Sequence, residues 1–160
     1  MTTEDKKPVH LHWGFIGWVA AGGVFGALSR YGLGLVIPSP GAWPLATLLI
    51  NVSGALALGA LLEGLSRRGP DVGSRRVVRL ALGTGFLGAY TTYSTLALDA
   101  VHLIAGGMAP AAAAYLGASL LGGAAATIVG IWLGARQYKR AVGQEPGMSP
   151  ADSVGGRQAP

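Results

Sequence analysis

The chain has 160 residues, 51% hydrophobic and only 12% charged, whereas soluble domains are about a quarter charged. The deficit is gathered in long uncharged runs and places the chain in the membrane class. The absence of cysteine excludes a disulfide framework, a thiolate metal site and a cysteine nucleophile. The net charge of +5 sits in short segments between apolar runs, the pattern of cytoplasmic loops rather than of a nucleic-acid surface.

Residues 1–12 are polar, with Glu4, Asp5, Lys6 and Lys7, and read as a cytoplasmic N-terminal tail. They lack a secretory cleavage pattern, and the apolar run that follows is too long for a signal peptide. The first span covers about 13–37. Trp13 and Trp18 suit the membrane interface, and Arg30 lies toward the far end, within reach of the headgroups by snorkelling. Pro38-Ser39-Pro40-Gly41 predicts a turn. The second span covers about 43–65, and Glu63 and Arg67, four residues apart at its end, predict an ion pair on one helical face.

Residues 66–79 read as a basic loop with five arginines and Asp71 as its one acid. The third span runs from about 77 to 104, followed by a turn at Gly106-Gly107. The fourth covers about 110–134, ended by Arg136, Lys139 and Arg140. Residues 141–160, rich in Gly, Pro and Ser, read as a disordered C-terminal tail. Each span has about 20 residues or more, enough to cross the hydrocarbon of a bilayer. The expected fold is therefore an all-α integral membrane domain over 13–140 with four transmembrane helices.

Four crossings put both termini on one side, together with the 66–79 segment. Eleven of the twelve lysines and arginines fall on that side, and Arg30 alone on the other. This bias places both termini in the cytoplasm of a multi-pass protein of the cell membrane. Small residues recur at helical spacing: Gly22 and Gly26, and the ladder Ala118, Gly122, Ala126, Gly130 and Gly134. These are packing faces that let backbones approach, and four short helices leave so little room inside that a dimer is expected.

Polar groups at membrane depth carry the functional information. Thr47, Asn51 and Gly54 share one face of the second span, and Tyr115, Ser119 and Thr127 share a stripe of the fourth, with Gly123 in the intervening place. An unpaired amide at mid-span is costly, while a hydroxyl can bond back to its own helix. The third span carries the strongest signal. Its centre, from Gly88 through Thr91, Thr92 and Thr95, is polar and poor in helix propensity, and predicts a broken helix. Non-helical backbone persists at that depth only when buried or lining a polar cavity, where freed carbonyls suit a hard cation such as sodium. No paired carboxylates and no Ser–His–Asp spacing occur, so no enzyme is expected.

Three ordered motifs resemble the Fluc (CrcB) family of fluoride channels. Gly22-Gly23-Val24-Phe25-Gly26-Ala27-Leu28-Ser29-Arg30-Tyr31 is similar to its first-span pattern. Pro44-Leu45-Ala46-Thr47 with Asn51, Gly54 and Gly59 is similar to its second, and Gly85-Phe86-Leu87-Gly88-Ala89-Tyr90-Thr91-Thr92-Tyr93-Ser94-Thr95-Leu96 to its third. The resemblance covers about residues 15–134. It implies a fluoride-specific ion channel that exports fluoride passively across the plasma membrane, built as an antiparallel dimer with two pores. It implies a fluoride pathway along Asn51, Tyr93, Thr95, Tyr115, Ser119 and Thr127. It also implies a central sodium ion on the carbonyls of Gly88 and Thr91. Arg30 and Asp99 match family positions.

The chemistry is consistent, because fluoride needs donors to replace its hydration: amides, hydroxyls and the positive edges of aromatic rings. Two departures stand out. The family's paired phenylalanines are here Tyr93 and Leu96, so one aromatic edge is missing. An antiparallel homodimer also needs one sequence to insert both ways, which the strong charge bias opposes. A heterodimer with an oppositely oriented homologue follows as the expectation, with a degenerate pore at Leu96. The rival readings are a small multidrug-type proton/cation antiporter, which needs an acid in the first span where residues 13–37 have none, and a non-conducting partner subunit.

Overall fold

A computed structural model describes residues 12–39 and 43–143, with side chains through residue 140. The expectations for the N-terminal tail, for Pro40-Gly41 and for the C-terminal tail beyond Gly143 lie outside the described residues. Among these residues the protein is helical throughout, with no strand.

Helix α1 spans Trp13–Val36. It ends where Ile37 turns extended (φ −80°, ψ 118°) ahead of Pro38, because a residue before proline is driven from the helical region. Helix α2, Leu45–Ser66, starts directly after Pro44. Its end is followed by Gly69, at φ +115°, a conformation open to glycine at little cost. The next helix is built in three consecutive pieces, together called α3: an α-helical start over Gly73–Val78, a π-helix over Arg79–Leu87 and a last α-turn over Gly88–Tyr90. Thr91 and Thr92 are then extended, and the chain re-enters a helix, α4, at Tyr93–Ala105. A Schellman-type turn closes α4: Met108 N–H donates to Leu103 O and Gly107 N–H to Ile104 O, both at 2.9 Å, with Gly107 at φ +75°. Helix α5 covers Ala109–Gly143.

Among the described residues, three helices are long and apolar enough to cross a membrane: Trp13–Val36, Leu45–Ser66 and, within α5, Ala109–Arg140. Between them stands the bent pair α3–α4. The architecture is that of an all-α membrane protein.

The small-residue faces meet each other. α1 packs on α3, and α2 on α5, with α4 also against α5. A Cβ on Gly22 would strike the carbonyl of Ala81, and one on Gly26 that of Phe86. A Cβ on Gly85 would lie 2.5 Å from Val19 O, so Gly22, Gly26 and Gly85 together let two backbones touch. On the other pair, a Cβ on Gly59 would lie 2.6 Å from Thr127 O, and one on Gly134 2.6 Å from Ala60 O; Gly130 abuts the Leu56 carbonyl. In lipid, where apolar surface gives no drive for association, such close approach is what holds helices together.

Three boundaries differ from the sequence reading. Arg136, Lys139 and Arg140 do not stop α5, which continues as a helix to Gly143. Charge ends an apolar run, but Lys and Arg are good helix formers. The segment read as a loop over 66–79 is helical from Gly73, with Arg75 and Arg76 in that first turn. The break itself is confined to Thr91 and Thr92, and Gly83 and Gly85 sit inside the π-helix as contact residues instead.

The predicted Glu63–Arg67 pair forms, at 2.6 Å. Asp71 ties the start of α3 down, accepting from Arg79 Nε at 3.0 Å and Nη2 at 2.8 Å, with Arg76 Nε at 3.5 Å. The hydrogen bond from Arg79 holds the Asp71 carboxyl below its ordinary 3.8. A lowered carboxyl stabilises the fold above its unfolded value, and that contribution is lost as pH falls through the folded value. Asp71→Asn should therefore flatten the decline of melting temperature below pH 3.8. The effect is small because the side chain is 43% exposed. Melting curves in detergent from pH 6 to pH 3, wild type against variant, check it; parallel curves would rule the linkage out.

Candidate functional site: the broken helix and its asparagine clamp

The break is held from outside α3. Asn51, on the face of α2 that meets it, pairs its amide with both backbone groups of Thr92. Asn51 Oδ1 accepts from Thr92 N–H at 2.8 Å, and Asn51 Nδ2 donates to Thr92 O at 3.0 Å. The mid-span asparagine thus satisfies the orphan groups that a break would otherwise leave in hydrocarbon. Gly54, one turn on, gives the room: a Cβ there would strike Thr91 Cγ2 and lie 3.2 Å from Tyr90 Cδ1. Ser53 adds a hydroxyl pair with Tyr90 at 3.0 Å, and Phe86 stacks on Tyr90 with centroids 5.8 Å apart.

Thr92 then caps α4. Its Oγ1 accepts from Thr95 N–H at 3.2 Å and donates to Thr95 Oγ1 at 3.1 Å. These bonds have a consequence for the carbonyls upstream. In an unbroken helix the Gly88 carbonyl would receive Thr92 N–H, and the Thr91 carbonyl would receive Thr95 N–H. Both donors are engaged elsewhere, by Asn51 and by Thr92 Oγ1. Gly88 O and Thr91 O are therefore left without their helical donors.

The expected site residues fall into three places. A cavity of about 370 Å³ brings together Asn51, Thr127, Tyr93, Leu96, Gly88 and Thr91. A second, of about 430 Å³, holds Arg30 and Thr95 with Thr47 and Thr92. A third, of about 190 Å³ at the opposite end from the 66–79 segment, holds Asp99 and His102. Thr92 borders both of the first two, and Asn51 the first alone. Tyr115 and Ser119 line none of the three and are buried between helices. The Tyr115 hydroxyl donates to Asp99 Oδ2 at 3.2 Å, which links the fourth-span stripe to the acid of α4, and Trp43 meets the Tyr115 ring edge-on at 6.3 Å. Ser119 Oγ is buried with no hydrogen-bond partner among the described residues, an unspent polar atom at membrane depth.

Two residues behave differently from their neighbours. Thr127 Oγ1 donates back to Gly123 O at 2.9 Å, so its proton is committed to its own helix. Tyr93 is 83% exposed, whereas Leu96 is partly buried against the cluster around Tyr115 and Leu103. Both border the cavity that holds Asn51. Thr92, expected only as part of the break, is also the cap of α4. Its signal was local: a threonine three residues ahead of Thr95, at the start of a helical run, is capping spacing. Thr92→Val should cost about 1 kcal/mol of stability through the lost cap, with Thr92→Ser restoring it. Thermal melts of both variants decide the point, since the Asn51 bonds to the backbone survive either change.

Together these features define a multi-pass helical membrane protein organised around a clamped helix break that borders two largely apolar cavities, each with a few polar groups on its wall. The chain belongs to the CrcB family: the family model described as CrcB-like protein, Camphor Resistance (CrcB), matches residues 17–131. Among its relatives, the fluoride-specific ion channel FluC 2 of Leifsonia xyli subsp. xyli is 44% identical over 135 residues, covering 84% of this chain and 93% of the relative. The fluoride-specific ion channel FluC 1 of Moorella thermoacetica is 43% identical over 121 residues, 72% of this chain and 82% of the relative. FluC 2 of the same organism is 43% identical over 119 residues, 73% of this chain and 90% of the relative.

Proposed function

We infer that this chain is a subunit of a fluoride-specific ion channel that lets fluoride leave the cytoplasm passively across the plasma membrane, with no enzymatic step. The observation that carries the reading is the Asn51-clamped break, which sets Asn51, Thr91 and Thr92 on the wall of an otherwise apolar cavity, in a chain whose relatives are named fluoride-specific channels. Asn51 spends one amide N–H on Thr92 O, and the amide has a second. That donor, with the Ser119 hydroxyl and the edge of Tyr93, supplies the kind of groups a small, strongly hydrated anion needs. Thr95 extends the set, whereas the protons of Tyr115 and Thr127 are spent on Asp99 and Gly123 and would have to turn away from them to face an anion.

A sodium ion at the dimer centre would sit on Gly88 O and Thr91 O from both subunits. The fit rests on those two carbonyls having lost their helical donors, and on carbonyl oxygen suiting a hard cation. When bound, the ion supplies positive charge that offsets the cost of holding anions at low dielectric. The residues themselves keep the break open and hold the N–H groups of Thr92 and Thr95 away from these carbonyls.

Four crossings, with α3 and α4 sharing one, put both termini in the cytoplasm by the charge bias. The same bias favours a heterodimer with an oppositely oriented homologue over an antiparallel homodimer. Moorella thermoacetica has two such channel proteins among the relatives. The exposed Tyr93 and the partly buried Leu96 fit a complex in which only one pore has its full aromatic lining. The test is fluoride efflux from liposomes read with a fluoride electrode. The chain reconstituted together with an oppositely biased partner should conduct, and alone it should conduct weakly. Strong efflux from the chain alone would overturn the heterodimer, and no fluoride efflux in either case would overturn the channel reading.

A further inference from the structure

The segment joining α2 to α3 carries more positive charge than its own carboxylates neutralise. Glu63 is taken by Arg67, and Asp71 by Arg79 and Arg76. Arg68 and Arg75 have no carboxylate partner among the described residues. The Arg75 side chain reaches the Arg68 main chain: Arg75 Nη1 donates to the Arg68 carbonyl and lies over Gly69, whose missing side chain leaves the space. A guanidinium has five donors in a planar fork, so Arg75 keeps most of its own for another acceptor.

The level of this pair is fixed by α5. Gly134 packs on α2 at Glu63 and Gly64, and Arg68 Nη1 turns back toward that same Gly64, 3.7 Å from where its Cβ would stand. Trp132, 55% exposed, lies half a turn before Gly134, and the Arg136 guanidinium sits 5.0 Å from its ring centroid. An exposed tryptophan topped by an arginine marks the membrane–water interface. In the same joining segment Val72 is left 51% exposed, an apolar side chain suited to the bilayer surface rather than to water.

We propose that Arg68 and Arg75 form a site for the phosphate of an anionic phospholipid headgroup at the membrane surface. Arg68, turned back along α2, and Arg75, folded over the turn at Gly69, present two uncompensated guanidinia at headgroup depth, where bidentate contact with phosphate oxygens is favoured. A lipid satisfies the depth and the exposed Val72 as well as the charge, whereas a free phosphate satisfies the charge alone. The proposal rests on the placement of this chain in a membrane and not on fluoride conduction.

The experiment uses the full chain purified in neutral detergent, with lipid retention read by native mass spectrometry and stability by thermal melting. The probes are phosphatidylglycerol, phosphatidylcholine and inorganic phosphate. Phosphatidylglycerol should bind and raise the melting temperature, and the other two should not. In Arg68→Gln/Arg75→Gln the apparent affinity for phosphatidylglycerol should fall on the order of twenty-fivefold, each surface cation near anionic lipid being worth about a fivefold attraction. The control Lys139→Gln/Arg140→Gln removes the same charge nearby and should change it less than about twofold. Equal loss in the control, equal binding of phosphatidylcholine, or an equal shift from inorganic phosphate would each overturn the site. The wild-type comparison between the two lipids stands even if the double variant folds poorly.

Discussion

Replacing Asn51 with alanine should lower fluoride efflux on the order of a hundredfold and destabilise the fold by about 3 kcal/mol. The magnitude comes from what the amide does in the structure. It closes two hydrogen bonds on one residue of the break, Thr92 N–H at 2.8 Å and Thr92 O at 3.0 Å. Removing it leaves both groups unpaired in a low-dielectric surrounding, at about 1–3 kcal/mol each, and about 2.8 kcal/mol is a factor of a hundred in the population of the intact break. Asn51→Asp separates the clamp from the pathway. It keeps an acceptor for Thr92 N–H and loses the donor, while adding negative charge beside the route of an anion. It should melt closer to wild type than the alanine variant yet conduct no better. Efflux from liposomes and melting in detergent, taken together, read the two arms. An alanine variant with wild-type flux would remove Asn51 from the conducting machinery and leave it as interhelical glue.

The second large effect concerns the contact between α1 and α3. Gly26→Leu should prevent the fold from assembling, and Gly26→Ala should already cost about 1–3 kcal/mol. A Cβ at Gly26 meets the Phe86 carbonyl oxygen, with Phe86 C and Cα at 2.9 and 3.0 Å. Those are backbone atoms of the π-helical piece that leads into the break, and they have no rotamer by which to yield. Gly17→Ala on the same helix, where nothing lies within 4 Å, should be neutral within about 0.5 kcal/mol. The pair tests position with identical chemistry. If both alanines melt alike, the glycine face does not hold α1 to α3, and the break is supported by α2 alone.

Much of this was legible before any coordinates. Uncharged runs of span length located α1, α2 and the apolar part of α5, because a bilayer demands long apolar segments and backbone bonds closed within a helix. The i, i+4 spacing of Glu63 and Arg67 told of their ion pair, since helical periodicity alone sets that distance. Thr47, Asn51 and Gly54 could be seen to share a face, and the third span to be broken, from local propensity and spacing.

Other features depend on atoms far apart in the chain. That the break is two residues wide, at Thr91 and Thr92, is decided by Asn51, 41 residues away, which takes the N–H and C=O that the helix would have used. That Gly83 and Gly85 sit at helix contacts is decided by α1, α2 and the π-helical winding. Whether a hydroxyl faces a cavity, its own helix or another side chain differs among Thr127, Tyr115 and Ser119, although they lie on one stripe. Apolar run length and the placement of polar residues along the chain dictate which segments must be helical in lipid and which polar groups must find partners. The tertiary structure alone decided who those partners are, because a hydrogen bond is made across helices whose approach is set by side-chain volume at positions distant in sequence.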